Sequence, residues 1–327
     1  MQTRLQRFGV KPPSADYTFV LDYSSMTAAL HKDLLTNEVL FVRRVKCEHL
    51  GTVSLFTKGS PGSTWSPKIS NRRFAPSIPL LKSHIQKCCR RMDAAWAVEG
   101  VMLLLALDPI SLYRRLMIIM IEDVALMDGS ATVVWLVLAG TSSPIYKKTV
   151  DFIVSFMSSL CSCHKTFVST LAKQDHVFEP QAVLVKHGSH IGSTILSLIM
   201  RGSFGGMKGD MLMLARAYSY YVHAPGLIAD LRGTVRVTDY NVDCNFCTIP
   251  QAYDHHVNRT LPTTISRAVG LSIPDVKRII WTAESAPNHR KKYTLEERDL
   301  AKKTPEYSLV IAELRSRRLK IEANRKA

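Results

Sequence analysis

The feature that most restricts the fold is a series of short apolar runs in the middle of the chain. The densest are residues 101–107, 116–121 and 132–139, and each ends at a charged or turn-forming residue within a few positions. A helix that spans a bilayer needs about 18 to 20 apolar residues in a row, and none of these runs reaches that length. Runs that are apolar on every side are typical of helices buried in a protein core. The sequence therefore predicts a helical core and no membrane span.

Apolar residues recur at helical spacing from Pro79 onwards, and Asp108-Pro109 has the pattern of a helix N-cap followed by proline. Before them, β-branched and aromatic residues at 38–45 and 51–57 predict an antiparallel pair of strands. We therefore expect a mainly α fold, a multi-helix domain with a small N-terminal α+β lobe. The expected domains are a small α+β lobe with a basic loop at 1–78, a helical domain at 79–286 and a solvated basic helical tail at 287–327.

The charge of the chain favours a polyanionic partner. Lys and Arg number 43 against 27 Asp and Glu, and the formal net charge is +16. Such an excess suits DNA, RNA or an acidic membrane surface, although it can also serve solubility alone. The seven cysteines form no small-domain disulfide framework, and the first residues lack the apolar core of a secretory signal. We expect reduced thiols in an intracellular compartment, whether cytoplasm, nucleus or mitochondrion.

One ordered set of motifs occupies residues 83–129. A basic helix leads into small residues, a proline-started helix carries a paired arginine, and an acidic turn follows. The residues of these motifs are Lys87, Arg90, Arg91, Asp93, Ala94, Ala95, Asp108, Pro109, Arg114, Arg115, Leu116, Glu122, Asp123, Val124 and Ala125.

This set resembles the C-terminal helical region of the replication-associated recombination (MgsA-type) AAA+ ATPases, relatives of the clamp loaders. The resemblance implies a helical scaffold, a homo-oligomer or another assembly partner, and a link to DNA replication and repair. Ala125 stands where that family usually has glycine. The sequence also lacks the Gly-x-x-x-x-Gly-Lys-Ser/Thr loop that would cradle ATP phosphates, so ATP hydrolysis is not implied.

Four parts of the chain carry candidates for phosphate contacts. Lys87, Arg90 and Arg91 lie three and four residues apart, so a helix would place them on one face. The alternative is a solvated face, or arginines paired with carboxylates. The predicted nucleic-acid contacts are Lys82, Lys87, Arg90, Arg91, Lys208, Arg290, Lys291, Lys292, Arg317 and Arg318.

Two arginines precede the apolar run at 116–121, and two carboxylates follow it. We expect Arg114, Arg115, Glu122 and Asp123 to form a structural ion-pair network, because a buried charge is costly unless it is paired. The alternative is that Glu122 and Asp123 join Asp210 to hold Mg²⁺. The glycine-rich segment 202–210 precedes a helix that Asp210 is expected to cap, which favours a tight turn over a phosphate cradle.

Cys244-x-x-Cys247, with His255 and His256 downstream, has part of the pattern of a zinc site. The alternative is a pair of ordinary thiols, and we expect no other cofactor. His187 and His190 flank Ser189 without an evident acid partner, and we interpret them as surface or core histidines. No complete catalytic motif is present.

The sequence thus predicts a non-catalytic nucleic-acid-binding protein of DNA replication or repair, with DNA favoured over RNA. One alternative is a structural protein of a large ribonucleoprotein such as a mitochondrial ribosome. Another is a metal-dependent enzyme that acts on nucleic acid. We expect no membrane partner.

Overall fold

The structure, a computed structural model, describes residues 16–32, 39–70, 75–163, 178–243, 248–249, 252, 260–280, 300 and 302–326. The fold is mainly α, as predicted. The strands are β1 (Tyr17–Asp22), β2 (Thr27–His31), β3 (Leu40–Cys47), β4 (Gly51–Lys58), β5 (Ile69–Ser70) and β6 (Val242–Asp243). The helices are α1 (Ile78–Arg90), α2 (Ala94–Leu107), α3 (Pro109–Asp123), α4 (Ser130–Ala139), α5 (Lys147–Ser162), α6 (Pro180–Gly202), α7 (Lys208–His223), α8 (Thr260–Val269), α9 (Ile273–Ile279) and α10 (Pro305–Lys326).

The chain forms two compact units that interleave in sequence. The first contains the described residues of 1–66, 113–159 and 166–238, and the second those of 67–112, 160–165 and 239–327. This division differs from the expected succession of domains at 1–78, 79–286 and 287–327. The reason is that β1–β4 pack against α4 and α6, which come from the middle of the chain.

A four-stranded sheet organises the first unit. Its order is β2-β1-β4-β3, with β1 parallel to β4 and the other two pairs antiparallel. The predicted antiparallel pair, now β3 and β4, is confirmed. Helix α4 is apolar all round and contacts every strand of this sheet. Trp135 at its centre is fully buried and its Nε1–H donates to the Phe19 carbonyl at 3.0 Å, so the helix is fixed to β1 by packing and by a hydrogen bond.

Helix α6 covers the outer edge of β2. The Ser193 hydroxyl accepts from the Leu30 N–H at 2.7 Å, and the Ser189 hydroxyl donates to the Leu30 carbonyl at 3.1 Å. Both backbone groups of an edge residue are therefore satisfied by side chains instead of by another strand. The helix is interrupted at Gly188, where φ is 76° and ψ is 169°. Glycine tolerates that conformation, and it redirects the chain just before the two serines.

An extended segment at 229–237 runs along α5. The Ser159 hydroxyl both accepts from the Arg232 N–H and donates to its carbonyl, each at 3.0 Å. Ser155 accepts from the Val235 N–H at 2.8 Å. These serines are four residues apart and therefore share one face of the helix. They give the extended segment the hydrogen bonds that a neighbouring strand would otherwise supply.

The second unit contains α1, α2, the short β5–β6 pair and a group formed by α8, α9 and α10. Val310, Ile311 and Leu314 of α10 are buried against α8 and α9. The expected solvated tail is therefore wrong for this helix, because its apolar stripe is long enough to pack on the preceding pair. Leu309 and Leu319 do lie exposed, on its other faces.

Two findings concern the thiols and membranes. Five cysteines of the described residues, at positions 47, 88, 89, 161 and 163, are buried and outside any disulfide. In the part of the chain that the structure describes, no helix combines the length and apolar character needed to cross a bilayer.

Candidate nucleic-acid interface

Helix α1 is mostly buried, contrary to the exposed basic face expected of it. Lys87 is only 4% exposed, and its Nζ donates to the Ser83 hydroxyl at 3.0 Å. The prediction that Lys87 contacts phosphate is therefore wrong. The physical reason is that the buried side of α1 includes every residue from Ser83 to Cys89, so the lysine stem lies in the interior. Lys82, Arg90 and Arg91 are partly exposed, and Arg91 Nη1 donates to the Lys87 carbonyl at 2.9 Å.

His84 lies at the centre of this buried side and is fully enclosed. Its Nδ1 accepts from the Ile249 N–H at 3.1 Å, which leaves Nε2 to donate to the Trp96 carbonyl at 2.9 Å. Cys88 Sγ lies 3.5 Å from Nε2. A cysteine and a histidine at this distance resemble a nucleophile and its base. Both ring nitrogens are already committed and neither residue reaches solvent, so the pair serves packing.

A second cluster of charge lies in the first unit, where α3 meets the turn between α6 and α7. Arg201 is 3% exposed, and its Nη1 donates to the Gly205 carbonyl at 2.8 Å. Arg114 Nη2 donates to the same carbonyl at 3.1 Å, and Arg201 Nε donates to the Arg114 carbonyl at 3.3 Å. Burial, reinforced by the Arg114 charge, lowers the pKa of Arg201 to about 10. Two guanidinium groups thus converge on one carbonyl oxygen.

Carboxylates from two helices offset this positive charge. Asp210 lies within electrostatic reach of Arg115, Arg201 and Glu122. Its pKa is raised, first by burial and also by Glu122, against the opposing effect of the two arginines. The predicted network of Arg114, Arg115, Glu122 and Asp123 stays a prediction as a set. The Arg114 guanidinium donates to the Gly205 carbonyl. Asp210, 87 or more residues further along the chain than these four, belongs with them electrostatically.

The magnesium alternative gains one electrostatic interaction. Burial and the Glu122 charge raise the pKa of Asp210, so these two carboxylates lie within electrostatic range of each other. Arg115 and Arg201 act on Asp210 in the opposite direction and would compete with a divalent cation for it. Within the described residues, no group of three or more His, Cys, Asp or Glu side chains is arranged to hold a metal ion.

The glycine-rich segment at 202–210 forms the turn into α7. The helix begins at Lys208 with Met207 at its N-cap, so the expectation that Asp210 caps it is wrong. Asp210 lies instead in the first turn of the helix, where its carboxylate faces the arginines. Because the Gly205 carbonyl points at two guanidinium groups, this part of the turn presents an acceptor where a phosphate would need donors. Lys208 is exposed beside it.

The three polar residues near the α6 kink have separate partners. His187 Nε2 donates to the Val222 carbonyl at 3.1 Å, and Ser189 bonds to Leu30 as described above. His190 Nε2 lies 3.1 Å from Asp128 Oδ1 in an exposed pair. These contacts fit the interpretation of surface and core histidines. The predicted zinc ligands Cys244, Cys247, His255 and His256 lie outside the described residues.

The group of α8, α9 and α10 carries an excess of accessible positive charge. Its ion pairs include Arg278 with Asp275 at 3.1 Å and Arg317 with Glu313 at 2.6 Å. The pair with Glu313 occupies Arg317, one of the predicted contacts. The side chain of Arg318 and residues Arg290, Lys291 and Lys292 lie outside the described residues.

Four further cations in this group are without a carboxylate partner among the residues that the structure describes. We call them the four cations: Arg267, Lys277, Arg315 and Lys320. Arg267, Arg315 and Lys320 are exposed and Lys277 is half-buried. These four are not among the contacts predicted from the sequence, although Arg315 and Lys320 lie close to Arg317 and Arg318 in the sequence and Lys277 is next to Arg278. On a helical projection Arg267 lies about 200° from the buried Ile265. Lys277 and Arg315 lie about 100° from Val276 and Leu314, at the borders of the buried stripe.

Comparison with known proteins adds no relative: neither a family model, nor a curated protein, nor a solved structure matches this chain.

Proposed function

We propose that the protein binds nucleic acid, DNA in preference to RNA, and that α8, α9 and α10 carry the binding surface. The observation that supports this most directly is the presence of the four cations on a helical group in which Asp275 and Glu313 are already paired with other arginines. The formal net charge of +16 supports it more generally. A role in replication or repair rests on the resemblance over residues 83–129 alone.

Unpaired surface cations are the groups that bind phosphate most effectively. A cation that already has a carboxylate partner must give up that partner, whereas a solvated one only displaces water and counterions. If all four cations contact duplex phosphates, the slope of log affinity against log salt is about −3.6. Raising the salt from about 50 mM to about 200 mM would then weaken binding by about 150-fold.

The test measures binding of the full chain to labelled duplex DNA, single-stranded DNA and RNA by fluorescence anisotropy across that salt range. One variant replaces the four cations by glutamine. A matched control removes four exposed cations of the first unit, and so the same amount of charge. The control substitutions are Lys46→Gln, Lys186→Gln, Arg232→Gln and Arg236→Gln.

We expect the four-cation variant to lose most of its affinity and nearly all of its salt dependence, while the control keeps most of both. Absence of binding by the wild-type chain at low salt would overturn the proposal. Equal losses in the two variants would show that net charge alone is responsible and that α8–α10 are not the surface. Tighter binding to RNA, with ribosomal RNA co-purifying, would favour the ribonucleoprotein alternative.

A further inference from the structure

Helices α8 and α9 are joined by a short turn whose conformation is fixed by local contacts. Gly270 has a φ of +73°, in the left-handed region that favours glycine, and its N–H donates to the Ser266 carbonyl at 2.9 Å. The Ser266 hydroxyl donates to the Leu271 carbonyl at 2.6 Å. Ser272 caps α9, since its hydroxyl accepts from the Asp275 N–H at 3.2 Å. The direction in which α9 leaves the turn is therefore well determined.

A shared apolar core holds the two helices together from the inside. The third helix, α10, completes this core, and Leu271 of the turn packs against it. The core residues are Leu261, Ile265, Val276, Ile279, Ile280, Val310, Ile311 and Leu314. A three-residue turn that contains glycine, between two helices fixed by a common core, is a feature that this pair shares with a helix–turn–helix. A helix–turn–helix presents its second helix to the major groove of DNA.

The outer face of α9 has the shape and chemistry that such a helix needs. Ile273, Pro274 and Arg278 are exposed, and Lys277 is half-buried between them and the core. With seven residues the helix is about 10 Å long, close to the major-groove width of about 12 Å. The carboxylate on this helix, Asp275, is neutralised by Arg278 in an exposed pair. Exposed pairs of this kind are weak, so a guanine can replace the carboxylate.

We propose that α8 and α9 form a helix–turn–helix in which α9 reads base edges in the major groove of duplex DNA. This inference rests on the proposed nucleic-acid binding and makes it specific. Lys277 and Arg278 would donate to guanine, and Ile273 would contact a thymine methyl group. Arg267 on the outer side of α8 would contact the phosphate backbone. Duplex RNA does not fit, because its major groove is too deep and narrow for side chains to read.

The experiment selects sequences that the full chain retains from a pool of randomised duplexes. Affinities are then measured for the selected duplex, a scrambled duplex, the single strand and the same sequence as duplex RNA. Arg278→Lys keeps the charge but loses the bidentate fork that recognises guanine. We expect this variant to lose about ten-fold or more of its preference for the selected duplex, with an unchanged salt slope. Arg267→Gln should weaken binding to both DNA duplexes equally and reduce the slope by about 1.

Several outcomes would overturn this inference while leaving nucleic-acid binding intact. The first is that the selection enriches no sequence. The second is that the single strand or the duplex RNA binds as tightly as the selected duplex. The third is that Arg278→Lys keeps the wild-type preference for the selected duplex. Failure of the wild-type chain to bind any of the probes at low salt would overturn the proposed function as well. Both substituted side chains are exposed, and far-UV circular dichroism confirms that each variant is folded.

Discussion

Gly100 on α2 lies where α1 leaves no room for a side chain. A Cβ atom at this position would come within 2.7 Å of His84 Cδ2 and 3.1 Å of Ile85 Cγ1. His84 has little freedom to retreat, because one ring nitrogen donates to the Trp96 carbonyl and the other accepts from the Ile249 N–H. We therefore predict that Gly100→Ala destabilises the protein.

Two opposing contributions determine how much Gly100→Ala changes the free energy of unfolding. Alanine in a helix interior is favoured over glycine by about 1 kcal/mol. Against this, relieving an overlap of that depth requires off-rotamer side chains or a shift of the helix, which costs about 1–3 kcal/mol. A shift that stretches either hydrogen bond of His84 adds about 1 kcal/mol. The net expectation is a loss of about 1–2 kcal/mol in the free energy of unfolding.

Urea unfolding followed by circular dichroism, together with hydrogen exchange of the α2 amides, measures this loss. Gly209→Ala on α7 is the matched control, since an added Cβ there meets no atom within 4 Å. It should be neutral or stabilise by up to about 1 kcal/mol. In a His84→Ala background the alanine at position 100 should cost much less. A Gly100→Ala protein as stable as the wild type, or an equal cost in both backgrounds, would refute the reasoning.

Two further predictions concern the first unit. Burial raises the pKa of Asp210, so the folded state holds that proton more tightly and stability falls as the pH rises through the raised pKa. The Asp210→Asn variant should therefore have a free energy of unfolding, measured in urea, equal to or above that of the wild type at pH 7. Below about pH 4, where the wild-type carboxyl is protonated, this advantage should shrink or disappear. Ser159→Ala removes both hydrogen bonds to Arg232, and hydrogen exchange at the Arg232 amide should become faster, whereas unchanged protection would count against the serine contacts.

Features set by nearby residues could be predicted from the sequence. The N-cap at Asp108 is confirmed, since its carboxylate accepts from the Ser111 N–H at 2.9 Å and α3 begins at Pro109. The β3–β4 pair and the all-apolar helix α4 are also confirmed. Each of these features depends on the propensity and periodicity of a few neighbouring residues, which can be read directly from the sequence.

Contacts between distant residues could not be predicted in this way. The Arg114 side chain meets the Gly205 carbonyl across 91 positions, and the Leu30 N–H meets the Ser193 hydroxyl across 163. Nothing in the immediate neighbourhood of these residues indicates the partner, because only the packing of sheet and helices brings them together. The wrong prediction that Asp210 caps α7 has the same origin. The prediction used only neighbouring residues, whereas Asp210 interacts electrostatically with Arg115, which is distant in the sequence.

Lys87 and Arg267 show that net charge is a weaker guide to a binding surface than the burial of the helix that carries the charge. Lys87 belongs to a basic cluster in the sequence, yet every residue of α1 from Ser83 to Cys89 is buried, and the Lys87 amine donates to the Ser83 hydroxyl. Arg267 belongs to no cluster, yet its place opposite Ile265 leaves it exposed. The residues that define the turn, Gly270 and Ser272, are also local signals of a helix end and a helix start. A basic residue is therefore better ranked first by whether its helix is enclosed on every side and then by its position on that helix than by the number of charged neighbours beside it.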